Sequence, residues 1–146
     1  MNISPHFTLE EATFSSTAVR LNIVNYPSSE IIQNMQVAAA GMERVRVLLG
    51  NRVIHIDSWF RCPMLNKAVH GAEHSDHMLG WCVDFVCPSF GTPVEIAQAV
   101  VASDIQFDRI ILEGTWVHIS FMPALRRQIE TAHFNNGVAT YTQGVS

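Results

Sequence analysis

Ser75-Asp-His77-Met-Leu-Gly80-Trp-Cys82-Val-Asp84 is the stretch on which both fold and chemistry turn, and Trp116-Val-His118-Ile-Ser120 answers it downstream. Trp81 to Val86 is a short apolar run of strand-forming residues, and Met78-Leu79-Gly80 turns the chain into it. Side chains alternate across a strand, so Asp84 shares a face with Cys82 and Val86, while Trp81, Val83 and Phe85 take the other. A carboxylate in such a run is costly unless a metal or a basic partner satisfies it. His118 sits in a second apolar run, Trp116 to Phe121, on the face of Trp116 and Ser120. Neighbouring strands presenting Asp84 and His118 on one face, with His77 arriving from the turn, would bring two imidazoles and one carboxylate together. That set suits a catalytic zinc that keeps a coordination position for water, whose pKa the ion lowers to about 7.

Local spacing leaves rival readings open. There are seven histidines, and His74 with His77, three apart on a helical turn, would make a competing pair. Cys82 shares the face of Asp84 and is an alternative ligand. His70, His74 and Asp76 fall in a polar stretch that reads as exposed loop, which makes them surface or supporting groups. No His-Glu-x-x-His run occurs, so the commonest helical zinc-protease signature is absent. A two-histidine, one-carboxylate set also suits iron(II) oxygenases, and the same residues could form a metal-free hydrogen-bond network.

Working outward, Thr8-Leu-Glu-Glu11 is a capping box that opens a short helix. Ser28 caps a long helix to about Leu49, stopped by Gly50, whose apolar face is Ile32, Met35, Ala39, Met42, Val45 and Leu49. Val53 to Ser58 reads as a strand and Cys62 to Val69 as a helix, before the loop Gly71 to Gly80. Thr92-Pro-Val-Glu95 is a second capping box, with proline at the first helical position, for a helix to about Ala102. Ile110 to Leu112 and Trp116 to Phe121, joined across Gly114, form a β-hairpin. Leu125 to Phe134 is expected to be a last helix and Ala139 to Gln143 an edge strand. The expected fold is α+β: a small antiparallel sheet with helices on one face and the zinc site on the other, in a single domain over residues 1–146.

Composition narrows the function classes. With 146 residues, 48% of them apolar and 15% charged, the chain can bury a core without disulfides. The net charge is −4 and the basic residues are scattered, which argues against a nucleic-acid partner. No apolar run is long enough to insert in a membrane, and the N-terminus lacks the layout of a secretion signal. Cys62, Cys82 and Cys87 are odd in number and read as reduced thiols of a protein made in a cytosol.

The residues resemble a known family. Ser75-x-His77-x-x-Gly80-x-Cys82-x-Asp84 followed by Trp116-x-His118 is similar to the zinc D-alanyl-D-alanine carboxypeptidases and phage endolysin peptidases, the fifteenth metallopeptidase family, whose wider group includes the hedgehog signalling domain. That family shows alanine where Cys82 stands, one small residue for another. The likeness extends to Ser4-Pro-His-Phe-Thr-Leu-Glu-Glu11, to Ile56-Asp-Ser-Trp-Phe-Arg61-Cys-Pro63 and to Phe107-Asp-Arg-Ile-Ile-Leu-Glu113, covering about 120 of the 146 residues.

The resemblance implies one zinc per chain on His77, Asp84 and His118, and a carboxylate as general base. Family members often carry that acid three residues before the last histidine, where this chain has Thr115. Glu113 is the candidate instead, placed at the end of a hairpin strand where the turn would swing it over the ion. Arg61 matches the family's substrate arginine, and a guanidinium there can hold a carboxylate or a polarised carbonyl. Ser75 resembles the site serine, which binds substrate or orients the ligand loop, and Trp116 would wall the cleft. The implied activity is hydrolysis of peptidoglycan stem peptides, at D-alanyl-D-alanine or at a bond such as L-alanyl-D-glutamate. The expected setting is a phage lysis enzyme made in the bacterial cytoplasm, or a virion-associated one. A zinc-binding interaction module of the same fold that has lost hydrolysis is the alternative, and the oligomeric state stays open.

Overall fold

The computed structural model describes residues 1–146. Two short strands, β1 (Asn2–Ser4) and β2 (Phe7–Thr8), open the chain and lead into the helices α1 (Leu9–Thr13) and α2 (Ser16–Arg20). The long helix α3 (Ser29–Leu48) precedes β3 (His55–Ser58), α4 (Pro63–Ala68), a 3-10 turn at Asp76–Leu79 and β4 (Cys82–Val86). Then come α5 (Pro93–Ala102), β5 (Arg109–Leu112), β6 (Val117–Ser120), β7 (Gln128–Asn135) and β8 (Val138–Gln143). The fold is α+β, and the six larger strands form one sheet in the order β3-β4-β6-β5-β7-β8. Every pairing in that sheet is antiparallel except β5 with β7.

Local chemistry explains the element starts. Both capping boxes form, Thr8 with Glu11 and Thr92 with Glu95, each threonine accepting a backbone N–H while the glutamate returns the bond to the cap. Ser28 caps α3 by accepting from the Ile31 N–H at 3.3 Å. The expected stripe of α3 is buried at Met35, Ala39, Met42 and Val45, with Leu49 just past its end and Ile32 half-buried. It joins Val83, Phe85, Ile110, Val117 and Ile119 in a core cluster of 25 residues, to which α5 adds Ile96, Ala97 and Val100. These sheet residues occupy one face. By alternation, Asp84 and His118 occupy the other.

The expected helix from Leu125 to Phe134 does not form. Those residues enter β7, which runs parallel to β5 and pairs Arg109 with Gln128 through Leu112 with Thr131. The hairpin β5–β6 leaves the far side of β5 unpaired, and a second strand there satisfies its row of backbone groups, which outweighs local helix propensity. Asp108 anchors the crossover: its carboxylate accepts from the Arg126 backbone N–H at 3.0 Å and from the guanidinium at 2.9 and 2.8 Å. The Asn136-Gly137 turn, with φ of 51° and 78°, returns the chain as β8.

Phe121, just after β6, lies against the backbone of α3 at Gly41, where a Cβ would run into the phenyl ring. Gly41→Ala gains about 1 kcal/mol of helix propensity but overpacks this contact at about 1–3 kcal/mol. Urea denaturation should therefore show the alanine variant less stable, by up to about 2 kcal/mol. A more stable variant would mean that Phe121 is free to move aside.

Candidate metal centre

The 3-10 turn brings His77 to the sheet. Ser75 caps it, its hydroxyl accepting from the His77 backbone N–H at 3.2 Å, and Gly80 ends it in the left-handed region at φ 81°. Trp59 holds both ends: its indole N–H donates to the Gly80 carbonyl at 3.0 Å, and its own carbonyl lies 2.7 Å from His77 Nδ1. A carbonyl only accepts, so Nδ1 carries the proton and Nε2 presents a lone pair. That lone pair faces the Asp84 carboxylate at 3.2 Å.

Asp84 and His118 meet through strand register. They are directly paired in the β4–β6 ladder, and His118 Nδ1 lies 2.9 Å from Asp84 Oδ1. Glu113, at the end of β5, brings Oε1 to 3.5 Å from the same nitrogen. The imidazoles pack edge to face with ring centres 5.3 Å apart. His77 is 2% exposed and Asp84 9%. Two electron-rich atoms, His77 Nε2 and a carboxylate oxygen, thus face each other out of water. Only a proton or a cation between them makes that arrangement favourable.

The electrostatics follow from burial and pairing. Burial pushes Asp84 upward, but the hydrogen bond and charge of the His118 imidazolium beside it work the other way, and the carboxyl stays well below the usual range. Burial pushes His77 down, against the pull of Asp84, and keeps it neutral. The same burial acts on His118, yet there the hydrogen bond and charge of Asp84 win and raise its pKa. Burial raises Glu113 and pushes the Cys82 thiol well up. Ligand atoms of Asp84, Glu113 and His118 all lie within 4.8 Å of one another, and so do those of His77, Cys82 and His118.

A cleft of about 450 Å³ opens on this cluster, and Arg61, Ser75, Asp76, His77, Asp84, Glu113, Trp116 and His118 all line it. The expected ligands, base and substrate contacts therefore share one cleft, whereas Cys82, the alternative ligand, lies buried off its lining. The Arg61 Nε and the Trp116 indole N–H are buried without hydrogen-bond partners. His70 and His74 stand exposed on the rim, apart from the ligand atoms. A larger hollow of about 620 Å³ lies between α3 and residues 103–106, with no histidine or cysteine in its walls. Trp59 is the contributor that sequence reasoning missed, because its role is played by a backbone carbonyl, which no residue type announces.

The Peptidase M15 family matches residues 5–120, which takes in His77, Asp84, Glu113 and His118. The chain belongs to the M15 peptidases. Among curated proteins none matches it. M15 membership makes the protein a zinc-dependent peptidase, which sets aside the iron oxygenase, the metal-free network and the non-hydrolytic module as readings of the whole chain. The donor chemistry fits the ion: two imidazoles and a standing carboxylate lie within one another's reach, with His77 oriented from behind by a carbonyl, as zinc-ligating histidines commonly are.

Zinc bound through His118 would have to displace the proton that Asp84 stabilises there. The raised His118 pKa means that the proton competes from above about pH 6.5 downward. Zinc affinity should fall by up to about tenfold per pH unit once pH drops below the raised His118 pKa. Competition titrations with a fluorescent chelator at several pH values between 6 and 8 measure it, and a flat profile would show that His118 does not have to lose a proton.

Proposed function

We propose that this peptidase hydrolyses stem peptides of bacterial peptidoglycan, with zinc held by His77, Asp84 and His118. The observation that supports this ligand set best is the pair of contacts from one carboxylate, 3.2 Å to His77 and 2.9 Å to His118. Cys82 is the weaker ligand because it is fully buried and does not line the cleft, whereas Asp84 lines it and touches both imidazoles. Zinc bound there supplies Lewis acidity, which polarises the scissile carbonyl and makes water nucleophilic at neutral pH.

The chain's own residues do the remaining work. Glu113 takes the proton from the attacking water and returns it to the leaving amine, and its raised pKa suits both transfers. Arg61 offers an unpaired N–H in the cleft, for which a substrate carboxylate or carbonyl is the missing acceptor. Ser75 holds the His77 turn, and Trp116 forms a wall beside His118. The assignment of peptidoglycan, at D-alanyl-D-alanine or L-alanyl-D-glutamate, rests on the family resemblance together with this carboxylate-seeking arginine. The same resemblance supports a phage lysis role, with the enzyme made in the host cytoplasm and released onto the wall.

Release of new amino groups from purified peptidoglycan, with and without chelator, tests the reading. Hydrolysis should be chelator-sensitive, and Glu113→Gln should lower kcat by about 10²–10⁴ while zinc stays bound. Arg61→Ala should raise KM about tenfold or more without metal loss. A full rate in Glu113→Gln would remove it as the base, and no release by the zinc-loaded wild type would overturn the substrate.

A further inference from the structure

The face that carries the metal cluster does not stop at His118. One transverse row runs Ser58, Asp84, His118, Ile111, Glu130 and Gln143, each residue paired with the next across the whole sheet. Alternation then places Ala132 and Phe134 of β7 on this same face as Glu130, and Tyr141 and Ala139 of β8 with them. Phe134 and Tyr141 are 54% and 49% exposed, and both line the cleft that holds the metal cluster. Across the ladder Tyr141 meets Ala132 and Phe134 meets Ala139, so neither ring is covered by a bulky neighbour.

The charge here is already spent. Arg109 donates to Glu130 through Nε at 2.7 Å and through a second nitrogen at 3.2 Å, and its guanidinium lies 5.4 Å from the centre of the Tyr141 ring. The ion pair fixes the arginine, and the arginine in turn supports the tyrosine. What remains exposed is two aromatic rings and the neutral amides of Gln128 and Gln143 on the same face. Such a surface offers no site for an anion. It suits a neutral ring with an apolar C–H face and hydroxyl or amide groups at its edge, which is the chemistry of an N-acetylated sugar. The whole hairpin lies beyond residue 120, where the family match ends, so this wall is not given by M15 membership.

We propose that Phe134 and Tyr141 form a sugar-binding subsite, through which the enzyme prefers stem peptides still attached to their glycan. The inference rests on the peptidoglycan reading above. The hairpin rings line the cleft but are not among the metal-ligating or proton-transferring groups, so their contribution appears in KM.

The test compares one stem peptide, free and linked to its disaccharide, as substrates for the zinc-loaded enzyme. Wild type should show a KM about five- to thirtyfold lower for the linked form, the span a well-placed aromatic contact commonly supplies. Phe134→Ala with Tyr141→Ala should abolish that preference while kinetics on the free peptide and zinc content stay unchanged. Tyr141→Phe, which keeps the ring, should keep the preference and guards against mere loss of the hairpin. Equal KM values in wild type overturn the proposal, as does a double variant that weakens both substrates alike, which would mean that the rings hold peptide. Hydrolysis of neither substrate by wild type would overturn the peptidoglycan reading itself and this inference with it.

Discussion

A single buried carboxylate, Asp84, organises the molecule around it. It stands between two imidazoles, close to both, and carries its charge in spite of burial. An unpaired carboxylate at that depth would cost several kcal/mol, so whatever places the imidazoles is a condition of folding as much as of chemistry. His118 comes by direct pairing in the β4–β6 ladder and His77 by a capped turn clamped at both ends by Trp59. The α3 and α5 helices cover the opposite face, so the sheet is stiff behind the cluster and open in front of it.

Much of this was legible because it rests on local chemistry. The two capping boxes, the stripe of α3 and the strand alternation around Asp84 and His118 are patterns of period or spacing that the chain itself enforces. The convergence of Arg61, Ser75, Glu113 and Trp116 followed from the ordered likeness to a family, since no local rule joins residues so far apart in sequence. Two features resisted. The Trp59 carbonyl is backbone, invisible to any argument from residue type. The strand β7 is dictated by the unpaired edge of β5 and by the Asp108–Arg126 anchor, both tertiary. One signal was there to be used: Asn136-Gly137 between runs rich in threonine and aromatic residues marks a hairpin, and weighing it above helix propensity would have recovered β7 and β8 together.

That hairpin changes what the site amounts to. Without it the metal face would end at β5. With it the face continues as an aromatic surface whose charges cancel within the Arg109–Glu130 pair. The metal cluster thus lies within the family-matched residues, and the aromatic extension of its face lies beyond them.

X-ray absorption at the zinc edge of the purified, zinc-loaded protein tests the ligand set most directly. Ligation by His77, Asp84 and His118 predicts only nitrogen and oxygen neighbours, at about 2.0–2.2 Å, with imidazole scattering and one zinc per chain. A sulfur neighbour at about 2.3 Å would contradict it, because Cys82 would then hold the metal in place of Asp84.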